Sequence, residues 1–206
     1  MSSPDETREV VVEFVGTAAI IRFNRPASRN SLSSNTLSQL DLIFSRVKSQ
    51  TDLKAIIFTG SEDVFASGAD IRELAGLDPA SARAFSERGQ DLFQRIADTP
   101  QLTVAAINGY CMGGALDLTL ACHIRIASAG AVFAHPGAQL GIITGWGGTQ
   151  RLPRLIGSAR ALELFMTARR FNAEEALLMG LISEIADPVL DYAIKLSSRT
   201  SSTKLA

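Results

Sequence analysis

Short apolar runs rich in β-branched residues alternate along this chain with longer segments of helical periodicity. This alternation is typical of folds in which helices connect the strands of a largely parallel sheet. The first two runs, which flank Gly16-Thr17, are predicted to pair as a hairpin. The runs that predict strands are 10–15, 18–23, 54–59, 102–107 and 124–127, and the segments that predict helices are 37–47, 80–97, 113–121, 158–167, 173–179 and 189–198. The pattern predicts the α/β class.

The size and charge of the chain narrow the kinds of protein that it can be. Its 206 residues suffice for one domain with a sizeable core. A net charge of −1, from 20 basic and 21 acidic residues, indicates neither a nucleic-acid nor a membrane partner. The N-terminal residues lack the apolar core of a signal peptide, and the two cysteines do not form a CxxC pair, so we expect a cytoplasmic protein. We expect a core domain over residues 1–187 and a short C-terminal helix with a loose tail over 188–206.

Three glycine-containing segments follow predicted strands, where α/β folds place their ligand sites. They are 67–70, at the end of an expected loop over 62–68, then 108–114 and 145–148. Glycine lets a ligand approach the main chain, and a helix N-terminus offers free N–H groups. Two such helix ends aimed at one point would form an oxyanion hole, for which the candidate donors are the N–H groups of Ala69 and Gly114.

The alternative for these turns is that they only cap helices. Asp70 can be a helix N-cap, and Glu73 three residues later completes the pattern of a capping box. Other kinds of site fit less well. The chain has no P-loop and no dinucleotide-binding fingerprint, and Ser67 is not in a nucleophile elbow. A serine triad using His123 or His135, or a metal site, remains a minor alternative.

Four motifs in order along residues 10–185 resemble the enoyl-CoA hydratase/isomerase (crotonase) family. They are N-R-P-A-S-R-N-S-L at 24–32, F-A-S-G-A-D-I at 65–71, N-G-Y-C-M-G-G at 108–114, and L-G-I-I with G-G-T-Q-R-L at 140–152. The resemblance implies a crotonase-type spiral of β-β-α turns, here with a shortened C-terminal helical region, assembled as a homotrimer or hexamer. It also implies an acyl-CoA thioester as the substrate, with no separate cofactor and no metal.

The resemblance assigns roles to particular residues. Ala69 and Gly114 match the oxyanion hole, and Asp117 matches the first of two catalytic glutamates in the family's hydratases. Arg29 and Arg72 are expected to meet the phosphates of CoA. The residues that match the family's CoA-binding positions are Ser28, Arg29, Gly68, Ala69, Asp70, Ile71, Arg72 and Gly114.

The sequence departs from the family's hydratases at the second glutamate. Gly137 stands there, and glycine can neither donate nor accept a catalytic proton. Efficient hydration is therefore not expected, and isomerisation, decarboxylation and non-catalytic binding of acyl-CoA stay open. Gly137→Glu is expected to raise hydratase activity if the rest of the site is sound. His135, two residues earlier, is interpreted as a structural or surface residue, and a structural role is expected for His123.

Overall fold

The computed structural model describes residues 8–199, which form ten strands and eight α-helices. The strands are β1 (Val10–Val15), β2 (Ala18–Phe23), β3 (Ala55–Thr59), β4 (Val64–Ala66), β5 (Leu102–Ile107), β6 (Tyr110–Met112), β7 (Ile124–Ala127), β8 (Val132–Ala134), β9 (Phe171–Asn172) and β10 (Glu184–Ile185). The helices are α1 (Ser34–Lys48), α2 (Ile71–Leu74), α3 (Pro79–Ala97), α4 (Gly114–Ala121), α5 (Gly148–Ile156), α6 (Ser158–Thr167), α7 (Ala173–Leu178) and α8 (Val189–Arg199). The polar tail beyond residue 199 lies outside the described residues.

The larger sheet has the strand order β1-β2-β3-β5-β7-β10 in the described range. β1 and β2 form the predicted antiparallel hairpin, and the remaining pairs are parallel. Every residue of β3 and β5 is buried, as expected for parallel strands covered on both faces. The α/β prediction is therefore confirmed.

A smaller sheet has the strand order β4-β6-β8-β9 in the described part of the chain. β3, β5 and β7 of the larger sheet are each followed by a short strand of the smaller sheet, namely β4, β6 and β8, so the chain repeats a β-β-α unit. The expectation that residues 62–68 form only a loop was wrong, because β4 occupies Val64–Ala66. Three residues are too few to show a strand period in the sequence.

Helices cover both faces of the larger sheet. On one face α1 buries Leu37, Leu40, Phe44 and Val47, and α3 and α4 pack into the same core. On the other face α8 buries Val189 and Ala193 against the sheet. In residues 8–199, no helix is long and apolar enough to cross a bilayer.

Helix α4 lies in the interior, with seven of its eight residues buried. Apolar side chains lie on all faces of this helix, which is typical of a core helix. Its one charged residue, Asp117, is in the first turn, where a carboxylate interacts favourably with the helix dipole. The fold thus places an acidic side chain inside the core, close to a glycine turn.

Candidate active site

A cavity of about 300 Å³ opens where two of the glycine turns meet. Its walls come from the turn after β4, the N-terminus of α4, the start of α3 and the segment between β8 and α5. The residues that line it include Ser67, Gly68, Ala69, Ile71, Phe85, Gly113, Gly114, His135, Pro136, Gly137, Ile142, Thr144 and Trp146.

The turn at Gly68 and the N-terminus of α4 approach each other closely. Gly68 has φ +90°, and a Cβ on it would lie 2.6 Å from the Met112 carbonyl oxygen and 3.2 Å from the Gly114 nitrogen. Gly113 has φ +54° and donates its N–H to the Ala134 carbonyl at 2.9 Å. Only glycine adopts these backbone conformations without strain, and at Gly68 only glycine leaves room for the neighbouring backbone.

The backbone geometry leaves the N–H groups of both candidate donors available. Gly114 is the first residue of α4, so its N–H has no partner within the helix. Ala69 bridges to Leu32, but the bridge uses the Gly68 carbonyl at 2.8 Å and the Asp70 N–H at 3.4 Å. The Ala69 N–H is directed away from that bridge, because successive N–H groups of extended backbone alternate in direction. The structure thus brings the two sequence-predicted donors to one cavity.

Helix α2 begins at the predicted cap but does not contain the predicted capping box. The Asp70 carboxylate accepts the Arg72 N–H at 3.1 Å, which confirms the N-cap. The Glu73 carboxylate accepts the N–H and the hydroxyl of Ser34, both at 2.7 Å. Ser34 is the first residue of α1, so its N–H has no partner within that helix. It hydrogen-bonds to the Glu73 carboxylate instead, and this carboxylate does not cap α2.

The residues expected to bind CoA fall into two groups. Gly68, Ala69, Ile71 and Gly114 line the cavity. Arg29 lines an adjoining depression of about 820 Å³, which shares Ser67 and Pro136 with the cavity.

Ser28, Asp70 and Arg72 are not among the described residues that line either space. Ser28 and Arg72 are exposed, and Asp70 is half-buried. The Arg29 carbonyl accepts the Ser67 N–H at 3.1 Å, which links the segment that contains Ser28 and Arg29 to the turn at the cavity.

Asp117 lies behind the cavity wall and has no exposed surface. Its Oδ2 accepts the Thr144 hydroxyl and, at 3.3 Å, the Trp146 N–H. Burial raises the pKa of this carboxyl to about 6, although these hydrogen bonds oppose the shift. Asp117 is not among the described residues that line the cavity, whereas Thr144 is.

His135 lies in the cavity wall with 4% of its surface exposed, so a surface position is excluded. Its Nε2 is 3.6 Å from Asp117 Oδ1, and neither atom has a hydrogen-bond partner in the described part of the chain. Burial lowers the pKa of the imidazole to about 4. By contrast, His123 accepts the Thr103 N–H at 3.0 Å, which agrees with a structural role.

Trp146 is the largest side chain in the wall and is 3% exposed. A Cβ on Gly89 of α3 or on Gly114 of α4 would lie 2.2 or 2.3 Å from its ring. Its Nε1 donates to the Phe85 carbonyl at 3.3 Å. Sequence reasoning missed this residue as part of the site, because its contacts are with residues far away along the chain.

Gly137 also lies in the wall, at the position where the resemblance places the second glutamate. A Cβ there would lie 2.7 Å from the Ile142 carbonyl oxygen. The backbone would have to move to accept any side chain. A gain in hydratase activity from Gly137→Glu would therefore require the backbone around Gly137 to change as well.

Comparison with known proteins identifies the fold. The fold is the crotonase fold: the chain superposes on an enoyl-CoA hydratase from Bacillus anthracis with a TM-score of 0.89 at 35% identity, covering 93% of this chain and 76% of that one. An enoyl-CoA hydratase from Thermoplasma volcanium gives a TM-score of 0.90 at 33% identity, covering 96% and 81%.

The sequence relatives identify the family. The profile of enoyl-CoA hydratase/isomerase matches residues 13–205. A short-chain-enoyl-CoA hydratase of Clostridium acetobutylicum is 38% identical over 184 residues, which are 89% of this chain and 70% of that protein. A crotonyl-CoA hydratase of Syntrophomonas wolfei is 37% identical over 180 residues, which are 87% and 69%. The chain belongs to the enoyl-CoA hydratase/isomerase family.

Proposed function

We propose that this chain catalyses proton transfer at the α-carbon of a short-chain acyl-CoA thioester, passing through an enolate. The observation that carries the proposal is that Ala69 and Gly114 line one cavity and that Gly114 is the first residue of α4, whose N–H has no partner within the helix. Removing an α-proton moves an electron pair onto the thioester oxygen. Two N–H groups aimed at that oxygen stabilise the enolate by about 3–4 kcal/mol each.

Asp117 is the proton acceptor in this proposal. With a pKa of about 6, it is mostly ionised at neutral pH and binds a proton readily, as a base needs to do. One such group suffices to take a proton from one carbon and return it to another, as in double-bond isomerisation. Hydration by two carboxylates is not open to this site, because Gly137 has no side chain. The names of the two relatives support an enoyl thioester as the substrate.

The cavity supports a short acyl group. Its volume of about 300 Å³ is at the lower end of the range for ligand sites. Its walls are apolar, and Trp146 closes one side. In this proposal the CoA runs from Gly68 past Ile71 and Asp70, the backbone at Ser28 meets the adenine, and Arg29 and Arg72 bind phosphates.

Hydrogen exchange into butyryl-CoA tests the proposal, because it reports enolate formation whatever the physiological reaction is. In D2O, the protein is expected to exchange the C2 protons, as followed by NMR. Asp117→Asn is expected to lower the exchange rate about 10²- to 10⁴-fold without weakening butyryl-CoA binding.

A second candidate is a non-catalytic acyl-CoA binder, which the complete burial of Asp117 favours. The same experiment separates the two, with a panel of crotonyl-, 3-enoyl-, methylmalonyl- and 3-hydroxyacyl-CoA analysed by mass spectrometry. Binding without exchange or product from any ester would support the binder. A product from methylmalonyl-CoA alone would move the assignment to decarboxylation.

A further inference from the structure

Two cavity-lining side chains, those of Thr144 and His135, approach the fully buried Asp117 carboxylate. Of the two, Thr144 is the one that hydrogen-bonds to it. Thr144 Oγ1 donates its proton to Asp117 Oδ2. This hydroxyl therefore connects a residue of the cavity wall to the buried carboxylate.

The other carboxylate oxygen faces His135. Asp117 Oδ1 and His135 Nε2 are 3.6 Å apart, and both are buried without a hydrogen bond of ordinary geometry in the described range, although the Gly148 backbone also lies beside the carboxylate. Two unpartnered buried polar atoms are costly unless they satisfy each other. A neutral imidazole protonated at Nε2 presents an N–H to the carboxylate, and a small side-chain adjustment completes that hydrogen bond.

We propose that the Thr144 hydroxyl is the catalytic group that meets the substrate and relays its proton to Asp117, while His135 is the positioning residue that holds the other carboxylate oxygen. The proposal rests on the proposed function, since it supplies the path for the α-proton. In a site that lacks the second glutamate, Thr144 and His135 would thus take part in proton transfer, although neither is a carboxylic acid.

The proton transfer through Thr144 needs no further reactant. The α-proton of the thioester passes to Thr144 Oγ1 as the proton of that hydroxyl passes to Asp117 Oδ2. The electron pair of the broken C–H bond moves to the thioester oxygen, which the Ala69 and Gly114 N–H groups face. The reverse transfer returns a proton to the α-carbon or to the γ-carbon of the conjugated enolate.

Exchange of the C2 protons of butyryl-CoA in D2O tests the relay in the full chain. Thr144→Val keeps the size of the side chain and removes the hydroxyl, so its exchange rate is expected to fall at least about 100-fold. Thr144→Ser restores the hydroxyl and is expected to recover most of that loss. Thr167→Val is the matched control, because its hydroxyl donates to the Glu163 carbonyl and the residue does not line the cavity. All variants are expected to bind butyryl-CoA equally.

The role of His135 is tested by the NMR signals of the two histidines in the chain. The His135 Nε2–H proton is expected to resonate downfield and to shift in Asp117→Asn. His123, whose Nδ1 accepts the Thr103 N–H, serves as the internal control and is expected to stay unchanged.

Each possible failure has a distinct meaning. An active parent with an equally active Thr144→Val would overturn the relay and leave the proposed function standing. A parent that binds butyryl-CoA without exchange would overturn both. A His135 signal that does not respond to Asp117→Asn would overturn the positioning role alone.

Discussion

At the scale of single residues, Asp117 and His135 titrate in opposite directions from their ordinary values. Burial raises the pKa of Asp117 to about 6, so the folded chain binds that proton more tightly than the unfolded chain, and acidification through pH 6 stabilises the fold. Burial lowers the pKa of His135 to about 4, so the unfolded chain binds that proton more tightly, and acidification below about 6.5 destabilises the fold. The two contributions therefore oppose each other as the pH falls from 6.5 to 4.

Removing either residue should expose the contribution of the other. Relative to the parent, His135→Gln is expected to gain stability as the pH falls from 6.5 to 4, by about 2–3 kcal/mol. Asp117→Asn is expected to lose a similar amount over the same window and to be more stable than the parent at pH 8. Urea unfolding at pH 4.5, 6 and 8 measures the free energies. Parallel pH profiles for all three proteins would contradict this account.

The residues of the site differ in how far the sequence predicts them. Ala69 and Gly114 could be proposed because each lies in a glycine turn that opens a helix, which is a local signal. The contact of Asp117 with Thr144 and His135 could not, because the three residues lie on separate segments that only the fold brings together. The sequence favours a structural or surface His135, because nothing next to it in sequence indicates that it faces a carboxylate.

At the scale of elements, α2 depends on contacts outside itself. It has four residues, none of them buried, and so few residues cannot sustain a helix alone. The Glu73 carboxylate holds it against the first turn of α1 through two hydrogen bonds from Ser34. The segment expected to bind CoA is thus anchored by a residue that has no predicted contact with CoA.

Glu73→Ala is expected to loosen this anchor. The free energy of unfolding should fall by about 1–2 kcal/mol, because two hydrogen bonds to a charged group are lost. The Kd for butyryl-CoA should rise several-fold, while the exchange rate at saturation changes little. Glu87→Ala is the control, since Glu87 forms an exposed pair with Arg83 on α3. Equal affinities for the two variants would show that α2 does not need the anchor.

Strand length decides which elements can be predicted. β3 and β5 are buried throughout, and their continuous apolar runs identify them in the sequence. β4, β6 and β8 have three residues each, too few for a period to appear. The smaller sheet therefore becomes visible only once the larger sheet has placed these segments side by side.

At the scale of the whole molecule, apolar side chains on α6 and α7 remain uncovered. Leu162, Met166 and Leu178 are 61%, 70% and 84% exposed. We propose that the chain assembles as a homotrimer or hexamer and that these side chains lie in its interfaces, because exposed apolar clusters commonly mark contact surfaces.

Light scattering in solution is expected to give the mass of three or six chains. Leu162→Glu combined with Met166→Glu should shift the protein toward smaller species, because charges would be buried in the interface. Leu42→Glu, at a side chain on α1 that is 73% exposed, is the control and should leave the mass unchanged. A monomeric parent would rule out this assembly.

Trp146 gives the molecule an optical reporter of its own site. It is the one tryptophan of the chain, and its indole packs against the first residue of α4 while its Nε1 donates to the Phe85 carbonyl in α3. A thioester that enters the cavity changes the surroundings of this indole directly. All the fluorescence that the chain emits on excitation at the red edge of protein absorption therefore originates at the cavity wall, and occupancy can be followed on the unlabelled protein.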